Sequence, residues 1–178
     1  ILGILETTDI HTNLLSYDYF KLAPDKSIGV ERTSTLVNQA RKEFSNALLV
    51  DNGDTIQGTV LADYQALVAP IPCNETLATY KVMNHMKFDV GGIGNHEFNY
   101  GLAFLSQVTH TPFDVPGLDL KGSASCMGPA FPLVNSNVFS VKTNAPIFQP
   151  SVILTKTIKA TAPDSSTFDG TLKIGFLG

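Results

Sequence analysis

The sequence is poor in several features that announce a function at once. Its 178 residues hold no tryptophan, only two cysteines, and 12 Lys and Arg against 16 Asp and Glu, a net charge of −4. No cluster of basic residues is present, which excludes the surface that a nucleic-acid polymer requires. No apolar run approaches the roughly 20 residues of a membrane span. Neither Cys73 nor Cys126 belongs to a Cys-x-x-Cys pair, which argues against a thiolate zinc site. Both lie in loop-like surroundings, where two free thiols and one disulfide in an oxidising compartment are equally compatible with the sequence. There is no internal repeat and no low-complexity tract. At 43% hydrophobic and 16% charged residues, the chain has the composition of a globular domain with a sizeable core.

What the sequence does contain is three apolar runs that each end in polar residues. Residues 1–5 lead into Thr7-Thr8-Asp9-Ile10-His11, and residues 47–50 lead into Asp51-Asn52-Gly53-Asp54. A third run leads into Gly91-Gly92-Ile93-Gly94-Asn95-His96-Glu97. Amphipathic segments long enough for crossover helices separate them: residues 30–44, with Val30, Thr33, Val37, Ala40 and Phe44 on one side, and residues 75–86, with Asn74 as the cap. Right-handed βαβ connections make such strands parallel and bring all three polar ends to one sheet edge. Asp9, His11, Asp54, Asn95 and His96 are therefore expected to converge, at the edge where open α/β sheets carry their chemistry.

The remaining segments fill in an α/β layered architecture. Residues 58–67 read as a short helix ended by Pro70 and Pro72, and residues 102–108 as a helix after the third turn. The loop over residues 12–29 contains Tyr17, Tyr19 and Phe20, which read as a small satellite core. Residues 113–129 form a surface excursion rich in Gly, Ser and Pro. Strands are expected at 131–139, 150–158 and 170–177, the last two as a hairpin. His85 and His110 read as packed or solvated side chains. Asn74-Glu75-Thr76 matches a glycosylation acceptor, meaningful only for a secreted eukaryotic protein. The chain starts and stops on strand-like runs, so the natural protein is expected to continue beyond both ends.

An Asp-x-His pair is weak by itself: eleven Asp and four His produce one by chance in about a quarter of such sequences. Order and placement add the strength. Carboxylate, imidazole and amide oxygen suit divalent ions of mixed N/O preference such as Zn, Mn, Fe or Co, and Asp54 could serve two ions at once. Asp9-Ile10-His11, Gly53-Asp54 and Gly94-Asn95-His96-Glu97 resemble the first three signature blocks of the calcineurin-like metallophosphoesterases. Thr12-Asn13-Leu14, Thr55-Ile56-Gln57-Gly58, and the run Phe98-Asn99-Tyr100-Gly101 extend the likeness to the bacterial 5′-nucleotidase group. Ala62-Asp63-Tyr64 and Tyr17-Asp18-Tyr19 are similar to its 2′,3′-cyclic-nucleotide 2′-phosphodiesterase/3′-nucleotidase branch.

The resemblance implies a layered metallophosphoesterase-like α/β sandwich of mixed sheets flanked by helices, of which residues 1–178 would be the N-terminal half. It implies two divalent metal ions (Zn, Mn or similar), with Asp9 and His11 on one, Asn95 on the other and Asp54 between them. Asn95 and His96 would contact a small nucleotide substrate. His96 would be catalytic, assisting in-line attack on phosphorus by a metal-bound hydroxide, and Asn99 would orient it. The 5′-nucleotidases proper place an Asp where this chain has Asn99; an amide oxygen can accept the ring N–H but cannot stabilise an imidazolium by charge. The family's further metal-binding histidines and its nucleoside-binding domain lie downstream of Gly178, which implies that the 178 residues alone bind metal weakly and turn over little. A periplasmic or secreted location also follows from the resemblance alone, and the oligomeric state is left open.

Overall fold

A computed structural model describes all residues, 1–178, with every peptide bond trans. In chain order the elements begin with β1 (Gly3–Thr7), the two-residue strands β2 (Tyr17–Asp18) and β3 (Ala23–Pro24), α1 (Val30–Glu43) and β4 (Ala47–Asp51). Next come α2 (Val60–Asp63), running on as a π-helical turn over Tyr64–Val68, then α3 (Ala78–Met86) and β5 (Val90–Gly92). A 3₁₀ turn over His96–Phe98 leads to α4 (Leu102–Val108). The short pair β6 (Asp114–Val115) and β7 (Leu118–Asp119) precedes a second 3₁₀ turn at Lys121–Ser125, and β8 (Leu133–Val134), β9 (Ser151–Thr161) and β10 (Thr167–Leu177) complete the chain.

The central sheet has the order β1-β4-β5-β8 and is parallel throughout, with Gly3 opposite Ala47, Val50 opposite Val90, and Gly91 opposite Leu133. Its strands are short and rich in Leu and Val, and a 14-residue crossover helix follows β1. That connection is what a parallel pair requires. One sheet face, with Leu5 and Leu49, packs on Val30 and Val37 of α1, Tyr80, Met83 and Met86 of α3, and Leu105 and Val108 of α4. Leu49, Tyr80, Met83, Leu105 and Val108 are essentially inaccessible to solvent, so this is where the burial that stabilises the domain is concentrated. The other face carries Ile4, Glu6, Val50 and Val90 and, with Phe176 and Leu177 of β10, bounds a groove of about 330 Å³. β9 and β10 form a long antiparallel hairpin turned by residues 162–166.

Several expectations change in detail. α3 starts at Ala78, not at residue 75, and its cap position is Leu77, not Asn74. The Glu75 N–H donates instead to the Pro72 carbonyl at 3.0 Å, closing a turn that the bond between Cys73 and Cys126 also anchors. The strand expected over 131–139 shrinks to two residues because Asn135 folds the chain away: its Oδ1 accepts the N–H groups of Asn137 and Val138. The helix expected over 58–67 runs over Val60–Val68: four α-helical residues, capped by the Thr59 hydroxyl, after which the ladder widens to the π turn. The aromatics of the first loop do not form a buried cluster: Tyr17 and Tyr19 meet edge to face at 5.0 Å, but Tyr19 is exposed and Phe20 projects into solvent. The two cysteines form a disulfide across 53 residues.

Candidate metal centre

The polar ends of β1, β4 and β5 meet at the carboxyl edge of the parallel sheet. The pairing continues past the strands: Asp9 N–H donates to the Gly53 carbonyl, His11 N–H to that of Asp54 and Thr12 N–H to that of Thr55, at 2.9–3.1 Å. Asp9, His11, Thr12 and Asp54 all have φ between 47° and 57°. Left-handed backbone costs a non-glycine residue about 1 kcal/mol or more and persists only where its surroundings enforce it. The enforced conformation turns the side chains of Asp9, His11 and Asp54 out of the strand alternation and toward one site, whereas that of Thr12 is buried against Thr79 of α3. Gly53 and Gly94 permit the approach of the second and third loops: a Cβ on Gly53 would lie 2.5 Å from the Gly94 nitrogen, and one on Gly94 would lie 2.8 Å from the Asp54 nitrogen.

Two buried carboxylates lock these loops. Glu97 is inaccessible to solvent. Its Oε2 accepts the N–H groups of Asp54 (2.9 Å) and Gly94 (2.7 Å), and its Oε1 accepts those of Thr55 (2.5 Å) and Ile56 (3.3 Å). Asp51 accepts the Thr7 hydroxyl at 2.6 Å, the Thr55 hydroxyl at 2.7 Å and the Gly53 N–H at 3.0 Å. Burial pushes both carboxyls above the ordinary carboxylate range, and these hydrogen bonds pull the other way. Neither role is assigned by the sequence reading. Glu97 sits beside His96 in the motif and attracts a chemical interpretation, whereas its function here is to tie the Asp54 loop to the His96 turn. No buried side-chain polar atom in the structure lacks a partner.

The exposed part of the cluster is where ions would sit. One ligand atom each from His11, Asp54 and His96 lies within 4.8 Å of the others, and the imidazole rings of the two histidines meet edge to face at 4.9 Å. His11 Nδ1 is 2.7 Å from the Gln57 carbonyl oxygen. A carbonyl only accepts, so the proton is on Nδ1 and the Nε2 lone pair is free, the arrangement of metal-binding histidines generally. That Nε2 faces Asp9 Oδ1 at 3.6 Å. Asp54 Oδ1 accepts the backbone N–H of His96 at 2.9 Å, and its other oxygen has no partner within the chain. Two imidazoles and two carboxylates in this disposition fit divalent ions. Asn95 is exposed at the start of the 3₁₀ turn, and its side chain makes no capping bond. The structure thus gathers Asp9, His11, Asp54 and His96 and sets Asn95 beside them, whereas His85 and His110 lie elsewhere.

The orientation at Asn99 differs from the expectation. Its amide nitrogen, not its oxygen, lies 2.9 Å from His96 Nδ1. Gln57, to which the sequence reading gives no role, places its side-chain oxygen 3.0 Å from the same nitrogen. The signal was present, since Gln57 stands three residues after Asp54 in the quoted block, but nothing in the spacing reveals that its two oxygens meet two histidines.

The carboxyl edge of the parallel sheet thus carries an Asp-x-His loop, a Gly-Asp loop and an Asn-His-Glu turn side by side. By fold and by chain-long identity, the chain belongs with the calcineurin-like phosphoesterases. It is 41% identical over 177 residues, 99% of its length, to the 2′,3′-cyclic-nucleotide 2′-phosphodiesterase/3′-nucleotidase of Yersinia enterocolitica, and 38% identical to that of Salmonella typhimurium over the same span. The crystal structure of the calcineurin-like phosphoesterase YfkN from Bacillus subtilis superposes with a TM-score of 0.80 at 36% identity, covering 99% of this chain and 47% of that one. The chain spans about a quarter of the length of the two curated relatives, 24% in each case. No family model matches the sequence.

Proposed function

We propose that the protein of which these residues are the N-terminal part is a metal-dependent hydrolase of nucleotide phosphoesters. It would convert 2′,3′-cyclic nucleotides to 3′-nucleotides and these to nucleosides. The observation that carries the reading is the convergence of Asp9, His11, Asp54 and His96 from three separate strand ends, in a chain alike from end to end to proteins named for that activity. Asp9, His11, Asp54 and Asn95 would hold two divalent ions such as Zn or Mn. When bound, such ions acidify a water and neutralise charge on the phosphoryl oxygens.

The chain's own residues supply the rest. Asp54, clamped by the His96 N–H, directs one carboxylate oxygen into the site. His96, with Nδ1 held by neighbouring amides, offers Nε2 to the phosphoryl group or the departing oxygen, the place for transition-state stabilisation or proton donation. Asn95 and His96 would touch the substrate. Glu97 and Asp51 hold the loops so that none of this geometry is rebuilt during turnover.

The missing part of the catalytic domain would complete the metal sites, and a further domain would bind the nucleoside. The disulfide is consistent with an exported protein in an oxidising compartment, and no helix is long and apolar enough to cross a membrane. Assaying the full-length protein against 2′,3′-cyclic AMP, 3′-AMP and 5′-AMP tests the reading. Turnover of the first two supports it; turnover of 5′-AMP alone makes the protein a 5′-nucleotidase, and activity on none of them rejects it.

A further inference from the structure

The ring of His96 meets two amides through a single nitrogen. Nδ1 lies 3.0 Å from Gln57 Oε1 and 2.9 Å from Asn99 Nδ2, and Asn99 Nδ2 donates to Gln57 Oε1 at 3.3 Å. A carbonyl oxygen only accepts and an amide NH₂ only donates. Contact with Gln57 requires a proton on Nδ1; a bond from Asn99 requires a bare Nδ1. One tautomer cannot satisfy both.

The contact with the oxygen is the one that leaves all three groups with a partner. A bare Nδ1 would set its lone pair against those of Gln57 Oε1 at 3.0 Å, whereas a protonated Nδ1 turns that contact into a hydrogen bond. Asn99 loses no partner in that case, because its amide donates to Gln57 Oε1, an oxygen with two lone pairs to offer. The backbone of the same residue bonds the other histidine: the Gln57 main-chain oxygen takes His11 Nδ1 at 2.7 Å, which requires a proton there. With the same tautomer at His96, residue 57 accepts an Nδ1–H from each ring and leaves both Nε2 atoms for the site.

We infer that Gln57, rather than Asn99, is the positioning residue of His96: its side-chain carbonyl accepts the Nδ1–H and fixes the ring, while Asn99, whose amide nitrogen lies beside the same ring nitrogen, donates to Gln57 Oε1 and holds it there. The inference deepens the proposed function and rests on its reading of His96. It also couples the two halves of the site, because Gln57 is delivered by the loop that carries Asp54 and is tied to His11 and His96 at once. An orienting carboxylate is then unnecessary at position 99, because a neutral acceptor reaches the ring from the opposite loop.

The test uses the full-length protein, labelled with nitrogen-15 in histidine and treated with chelator, with His96 assigned by the signals lost in His96→Gln. Long-range proton–nitrogen correlation reads the ring tautomer directly. The expected result is Nδ1–H in the wild type and in Asn99→Ala, with loss of that preference in Gln57→Ala. Kinetics with bis-p-nitrophenyl phosphate provide a second readout. Gln57→Ala should lower kcat by about 10- to 100-fold, the usual cost of removing an orienting partner, with KM and bound metal unchanged. Gln57→Glu, which keeps an acceptor, should recover most of the loss, and Asn99→Ala should cost less than Gln57→Ala. A bare Nδ1 in the wild type, or an Asn99→Ala defect equal to or larger than that of Gln57→Ala, overturns the inference. If the protein hydrolyses no phosphoester, the functional reading falls while the tautomer still decides the role of Gln57.

Discussion

Glu97 shows how far a residue's place in a motif can stand from its task. Four backbone N–H groups from two loops converge on it, two per oxygen. Glu97→Gln keeps the shape but turns an NH₂ toward two of those donors. Leaving buried donors unpaired costs about 1–3 kcal/mol, so the variant should unfold at clearly lower urea concentration and bind divalent ions more weakly, as chemical denaturation and metal titration would show. Glu97→Gln unfolding with the wild type would contradict the clamp. The same two buried carboxyls set a pH dependence. Burial raises Glu97 and Asp51 above their unfolded values, so the folded state holds their protons more tightly than the unfolded chain. Their contribution is fully present below the unfolded carboxyl pKa and is lost as pH rises through the folded one. In the metal-free protein Asp51 should therefore contribute a loss of stability with rising pH across that window, read as the difference between the pH profiles of melting temperature of the wild type and Asp51→Asn.

At the scale of elements, the sequence is most legible where period and polarity agree. Residues 30–44 read as a helix and form α1 (Val30–Glu43), and residues 102–108 form α4 (Leu102–Val108). The three polar strand ends come together at one edge because parallel topology permits only one side for them. The failures have local causes. Asn74 looks like a cap, but the disulfide and the Pro72 turn occupy the chain there. Asn135 looks like part of a strand, but its side chain competes for the backbone and ends it. No periodicity could reveal Gln57, whose role depends on which loop faces which ring. The Cys73–Cys126 bond joins the turn before α3 to the segment after the second 3₁₀ turn, away from the candidate metal ligands. Closing a 53-residue separation is worth about 4 kcal/mol in the chain-entropy view. Replacing both cysteines by serine should lower the melting temperature of the full-length protein by several degrees, with metal stoichiometry unchanged. A loss of bound metal would instead show that the disulfide shapes the site.

The whole molecule presents one well-packed sheet face and one that is only partly covered. Ile4 is 56% exposed on that second face, and the groove beside it meets only the end of the β9–β10 hairpin. The candidate metal ligands are likewise gathered at a single edge, open to solvent, with two histidines and two aspartates for two proposed ions. The chain spans about a quarter of the length of its curated relatives, and the proposed function belongs to the longer protein. The isolated 178 residues should therefore hydrolyse bis-p-nitrophenyl phosphate far more slowly than the full-length protein; equal rates would mean that the half-site is sufficient.

Asp54 is proposed to serve both divalent ions. Metal analysis of the purified full-length protein and its Asp54→Ala variant is therefore the decisive measurement. Two ions per chain are expected in the first and neither in the second. A wild type without bound metal, or an Asp54→Ala variant that keeps both ions, would contradict that role.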